Sequence, residues 1–498
     1  MATKTNKLLQ FLSFFLVLFT PNVKADPDWL SGWQYRKSHV INNATGAGTG
    51  YQVRIKVHYE GTTDHFANNG VSQPFNFINY PSAVYYNGKT YIIWQGGDNT
   101  CDPYITYYDH SSNSWGNIVK IADNPLTEDD HGCPVICVDA NGYLHVFYGC
   151  HNSAIKHAKS NNAEDISGWT IQSDPASSAT YPKVIVNGSN IYLFYRKRVT
   201  TSPPHLTWAY KKSTDNGASW GSENTIIDFG DNTAIYAGHH ELDNGKIHIT
   251  WFYLDYADSK RKDVFHAYFN ISDSKMYSMD GTDLGTTIDH SEADTYCRVV
   301  NSGTDETNVP ALHVDSNGYP WIIYKKGSGT SWTFYHVRWD GSSWTTPESI
   351  TATDNQFNHG DFFITSTTNV TAYLTTSGQS GRGGDIEKWN WNGSSWSKVS
   401  TILSELSSGR PLNSPIVPFN FNSKLEVVFC QINVSDYSVT NLKAYAYDGS
   451  NFVQKTIIDS GEDVYLNSHC RTDFGWTIGW KRRLTVTMLF SGLKWRMI

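Results

Sequence analysis

A sevenfold repetition constrains this chain more than any other feature of its 498 residues. Seven segments share one grammar: an apolar strand, a turn holding Asn, Asp or Gly, and a second strand rich in aromatics. They begin at Tyr80 (YPSAVYYNGKTYIIW), His131 (HGCPVICVDANGYLHVFYGCH), Thr180 (TYPKVIVNGSNIYLFYR), Ile235, Asn308, His359 and Ser414. Asn-Gly and related turns between alternating strands mark β-hairpins. A second hairpin follows each one, with an aromatic at its turn: Trp115, Trp169, Trp220, Tyr277, Trp344, Trp396 and Phe452. Units of about 50 residues with four strands, repeated seven times, predict an all-β chain folded as a seven-bladed β-propeller. No helical period competes with this pattern after residue 26. The composition agrees, with 14% aromatic and only 17% charged residues against about 25% charged in ordinary domains. Disordered chains show the opposite bias.

The propeller is expected over 61–458, and the segments around it read differently. Lys4 and Lys7 precede an apolar run from Leu8 to Phe19, and Val23-Lys24-Ala25 offers a cleavage site. That is the pattern of a signal peptide over 1–25, too short to span a membrane comfortably. The expectation is a secreted or surface protein without a transmembrane segment in its mature chain. Residues 26–60 and 459–498 are expected to form two halves of a small β-rich flanking module. The stretch 33–58 resembles the opening of a surface-protein domain of unknown function, and its continuation matches Ser460–Gly475. The resemblance implies a propeller inserted into a split module that attaches it to a surface or matrix. After Gly475 the resemblance stops at a basic tail, as a truncated or shifted reading frame, or a diverged terminal strand pair, would produce.

The net charge of -8 leaves no overall positive field for nucleic acid. Seven cysteines without a CxxC pair make neither a disulfide scaffold nor a zinc ribbon. Cys133 and Cys150 are placed to face each other across one hairpin as a disulfide. Most of the other cysteines read as buried thiols.

Propeller geometry turns sequence position into space. The first strand of a blade starts, and its antiparallel partner ends, on one rim. Residues just outside those ends should therefore converge on one mouth of the central channel: Tyr80, Gln95, His131, His151, Tyr181, Arg196, Tyr236, Tyr253, Asn308, Lys325, His359, Asn413 and Gln431. This set is rich in His, Tyr and Arg and nearly free of carboxylates. Of the propeller arginines only Arg196 falls at such a position. Glycoside hydrolysis needs two carboxylates flanking the bond, so the set argues against it. It suits β-elimination from a uronic acid, where a carbon acid becomes accessible once its carboxylate is neutralised. Arg is the natural neutraliser, and His or Tyr can move the protons. A nearby guanidinium also favours a phenolate, so Arg196 is expected to serve both Tyr181 and the substrate. His240 and Tyr253 are expected to stack on or bind the sugar.

Ser213-Thr-Asp-Asn-Gly-Ala-Ser-Trp220 is a complete Asp-box, the turn marker of sialidase-like and BNR-repeat propellers, and it reports folding rather than chemistry. The segments beginning at His131, Thr180 and Ile235 resemble the seven-bladed BNR-type polysaccharide lyases, ulvan lyases in particular, over roughly residues 78–285. The resemblance implies catalytic roles for His131, His151, Tyr181 and Tyr236, and carboxylate binding by Arg196. Which of His and Tyr is base and which is acid stays open. It implies an acidic polysaccharide as partner and no required cofactor. Some relatives carry a structural metal, for which His290, Cys297, His266 and His359 are the candidate ligands here. A non-catalytic glycan-binding propeller is the alternative, and a sialidase-like hydrolase the more distant one.

Overall fold

The computed structural model describes residues 52–97, 100–230, 232–378, 381–436, 438–458, 462–467 and 483–486. The signal peptide and most of the flanking module expected from the sequence lie outside these residues. Contacts divide the chain into two units, 63–455 and the pair 1–62 with 456–498. In the second of these, Gln52–Thr63 lies between Lys455–Ile458 and Glu462–Asn467, and also pairs with Arg483–Val486.

The larger unit is a seven-bladed β-propeller. The first strands of the blades are Ala83–Tyr86, Val135–Val138, Ala179–Asn187, Thr233–Asp243, Glu306–Val314, Gly360–Ser366 and Leu412–Ile416. Each pairs antiparallel with the strand that follows its Asn- or Gly-bearing turn. Successive first strands touch one another in series, which makes them the inner ring. Blade 7 is completed from the other end of the chain. Ala67–Gly70 pairs antiparallel with Leu442–Tyr447 as its outer strand, so the ring is closed by main-chain hydrogen bonds. Apolar side chains fill the space between blades, with Trp94, Trp208, Trp251, Trp321 and Trp391 fully buried. Rings of this size bury about 150–250 Å² each, which explains why so aromatic a chain suits this architecture.

The Asp-box sits at the turn after the third strand of blade 3. Asp215 accepts from the Ser219 amide at 2.9 Å, and the Gly217 amide donates to Ser213 Oγ at 2.8 Å. Ser213 pairs with Ile191, at the end of the hairpin opposite Arg196, so this motif marks the rim away from the predicted mouth.

That mouth is not an open channel. Residues 71–80, which precede the first blade, are all buried and reach five other blades. Gln73 donates to Ser414 Oγ at 2.9 Å, and Asn76 to the Asp130 carbonyl at 2.9 Å. Asn79 donates to the His131 and Cys133 carbonyls at 3.1 and 2.7 Å. Lys183 donates to the Ile78 carbonyl, while Phe77 stacks on His359 and lies against His239. A segment touching blades 2, 3, 4, 6 and 7 crosses the axis, and it plugs the channel. Asn308, Lys325, His359 and Asn413, expected at the mouth, are buried. His131 and His151 of blade 2 and Arg382 of blade 6 remain partly exposed beside the plug.

Candidate functional site

Two turns bring the histidines together. Asp129, Asp130 and His131 lead into the first strand of blade 2, and His151 follows its partner strand. Gly132 makes the approach close: a Cβ there would meet the Cys150 amide nitrogen at 2.8 Å. The imidazoles of His131 and His151 stack at 3.8 Å with 7° between their planes. Asp129 clamps both, with Oδ1 2.6 Å from His131 Nδ1 and Oδ2 2.7 Å from His151 Nδ1. Burial alone would raise its pKa, but the hydrogen bonds from the two histidines hold the Asp129 carboxyl well below the usual range. An ionised carboxylate only accepts, so both Nδ1 atoms donate and both Nε2 atoms are left free. The two histidine side chains are 32% and 34% exposed, which leaves them open to a ligand.

His151 also begins a short strand that crosses to blade 3, where it pairs with Thr180. The next residue is Tyr181, held at φ 58° in an interruption of the register between Thr180 and Lys183. A bulky residue with positive φ is rare and stores strain, and a bulge re-aims the side chain it carries. The Tyr181 ring lies 5.3 Å from that of His131. The Arg196 guanidinium sits over the rings of Tyr181 and Tyr236 at 4.7 and 4.6 Å. Arg196 is 4% exposed, and its Nε and Nη1 are buried without a hydrogen-bond partner. Leaving such donors unpaired costs about 1–3 kcal/mol or more, unless an anion arrives to accept from them.

Burial pushes the Tyr181 phenol up further than Arg196 pulls it down. The expected phenolate is therefore replaced by a protonated phenol, because desolvation outweighs one unscreened cation.

Five of the residues singled out from sequence thus share one group: His131, His151, Tyr181, Arg196 and Tyr236. Two others are not brought to it. His240 is fully buried and accepts from the Trp208 indole at 3.0 Å. Tyr253 packs against Phe229 and His290. Alternation along the strand puts Phe252, not Tyr253, behind Tyr236, 5.2 Å away.

The expectation of a mouth nearly free of acid fails at Asp129 and Asp130. TEDDHG placed both beside His131, and that adjacency was the available signal. The expectation of a single rim arginine also fails. Arg382 lies 3.6 Å from Asp130, and Arg382 and Arg261 flank the Phe357 ring at 4.8 and 5.4 Å. They come from blades 6 and 4, outside the strand ends used to predict the rim.

Cys133 and Cys150 are both free. Cys133 faces Gln95 Oε1 at 3.1 Å under the plug, while Cys150 packs in the core between blades 2 and 3. His290, Cys297, His266 and His359 form no common ligand group among the described residues. The groups with ligand spacing there are Asp129, His131 and His151, and His239, His313 and Asp361. In the first, contacts of 2.6 and 2.7 Å are those of charge-assisted hydrogen bonds. Two ligands on one zinc stand about 3.3 Å apart, so these donors are satisfied by one another.

Residues 83–350 match the family described as "BNR repeat-containing family member". An ulvan lyase of Pseudoalteromonas sp. (strain PLSV), assigned to PL25, is 28% identical over 63% of this chain and 72% of its own. An ulvan lyase of Alteromonas sp. (strain LOR) is 27% identical over 68% of this chain and 78% of its own. A solved PL25 ulvan lyase bound to -[GlcA(1-4)Rha3S]- has the same fold. Its TM-score is 0.69 at 23% identity, covering 79% of this chain and 98% of that one.

Proposed function

The chain belongs to the BNR repeat-containing family, and we propose that it is a secreted polysaccharide lyase acting on ulvan or a closely similar uronate-containing glycan by β-elimination. The observation that carries this reading is the buried guanidinium of Arg196, which has no anion of its own and lies between two tyrosines beside a clamped histidine pair. The relatives that are ulvan lyases support it from sequence. The flanking module is proposed to tether the enzyme to a surface or matrix.

In this reading the uronate carboxylate docks on Arg196. Neutralising it lets negative charge develop as the C5 proton leaves. A free Nε2 of the histidine pair takes that proton, with His131 the nearer to Tyr181. The C5–H electrons form the C4=C5 double bond, and the C4–O bond breaks. The leaving oxygen takes its proton from the Tyr181 phenol, which burial keeps protonated. Asp129 supports the imidazolium formed in the step and fixes both tautomers. Tyr236 holds the far face of Arg196.

A sialidase-like site would pair a tyrosine with a glutamate. Among the described residues, the Tyr–Glu hydrogen bonds from Tyr195 to Glu223 and from Tyr373 to Glu426 involve none of the tyrosines of the clamped group. The test is incubation with ulvan and other uronate polymers while following absorbance of the conjugated product. Retained binding without any absorbance rise across the panel would contradict the reading.

A further inference from the structure

Beneath the plug, the inner strands of blades 4, 5 and 6 each contribute one side chain to a second group that the proposed chemistry does not use. Asp361 Oδ1 lies 3.0 Å from His313 Nε2 and 3.5 Å from His239 Nδ1. Ligands 2.0–2.1 Å from a tetrahedral zinc are about 3.3 Å from one another, and these two separations bracket that value. At 3.0 Å the His313–Asp361 pair is also within hydrogen-bond range, whereas His239 Nδ1 at 3.5 Å stands beyond it.

Two further observations point to an ion. Glu241 Oε2 lies 2.8 Å from His313 Nδ1, so Nδ1 donates and the other ring nitrogen turns towards Asp361. A carboxylate behind a histidine is the usual outer support of a metal ligand. Facing a carboxylate oxygen at 3.0 Å, Nε2 carries either a cation or a second ring proton. His239 is fully buried, and neither of its ring nitrogens has a hydrogen-bond partner. It is held in place by Tyr80, which stacks on it at 4.0 Å, and by Phe77. A buried imidazole without a partner is costly, and a metal would satisfy it.

We propose that His239, His313 and Asp361 bind one divalent cation of the zinc class, with Glu241 orienting His313, and that this ion pins blades 4, 5 and 6 together under the plug. The ligands are borderline nitrogen donors with one carboxylate, which favours zinc over calcium or magnesium. The site is separate from the Arg196 group, and the inference stands whether or not that group is catalytic.

The test is metal analysis of the full chain purified without chelator, with its unfolding temperature. About one equivalent of zinc per chain is expected. A strong chelator should lower the unfolding temperature, and added zinc should restore it. His239→Ala should lose the metal, and His131→Ala should keep it. If His239→Ala does not fold, Glu241→Gln, which removes only the outer support, should weaken zinc affinity about 10–100-fold. Less than a tenth of an equivalent after dialysis against zinc, with an unfolding temperature that neither zinc nor chelator moves, would overturn the proposal. So would metal lost with His131→Ala and retained with His239→Ala.

Discussion

In the proposed reaction Asp129 supplies orientation and Arg196 charge, and each makes a separable prediction. Asp129→Asn keeps the shape but replaces one acceptor oxygen with a donor, so the two histidines can no longer both donate to it. The expected result is a fall in kcat of about 10²-fold or more, in the range lost with general acid–base function, with KM little changed. Arg196→Lys replaces a planar fork with a point charge. It should lower kcat/KM by about 10²–10³-fold, as the loss of a preorganised charge-stabilising group does. Steady-state kinetics on a uronate polymer checks both. His131, His151, Tyr181, Arg196 and Tyr236 were legible because blade register converts a position in sequence into a position on a rim. Asp129 was not, although only two residues from His131, because blade register fixes strand ends and not the turn leading into them. Tyr253 and His240 were misplaced for a different reason. A one-residue alternation, and a bulge between Ala237 and His240, decide which way such side chains point.

At the level of elements, close approach and irregular strands shape the site. Gly132 lets the two arms of the blade 2 hairpin converge until the imidazoles stack. Gly132→Ala would place a methyl 2.8 Å from the Cys150 amide, forcing the arms apart. It should cost about 1–3 kcal/mol, as overpacking does, and lower activity more than the stability loss explains. Urea unfolding alongside kcat at a temperature where the variant is folded separates the two effects. The hairpins were readable from their Asn-Gly turns. The plug was not, because VSQPFNFINY has neither strand alternation nor helical period. Its structure comes from side chains reaching across the axis, which no local pattern encodes.

Across the whole molecule, the propeller buries many histidines in neutral form. Burial lowers His157 to about 2 and His248 and His336 to about 3. Each titrates near 6.5 when unfolded, so below that pH the unfolded chain binds protons that the folded chain refuses. Stability should be full above about pH 6.5 and fall as pH drops towards 3, by about 1.4 kcal/mol per pH unit for each such histidine. Denaturant unfolding between pH 7 and pH 4 measures the slope, and a flat profile would contradict it. Closure of blade 7 by Ala67–Gly70 makes the ring one cooperative object, and its overall acidity conceals a mouth that carries Arg196, Arg261 and Arg382. That local charge is the basis for an acidic sugar as substrate. The most direct measurement is the absorbance of the conjugated product when the purified protein meets ulvan. A steady rise is expected with the wild-type chain and a rate about 10²–10⁴-fold lower with Tyr181→Phe, the range for loss of a general acid. Ulvan bound but left uncut by the wild type, or cut equally fast by Tyr181→Phe, would contradict the proposed reaction.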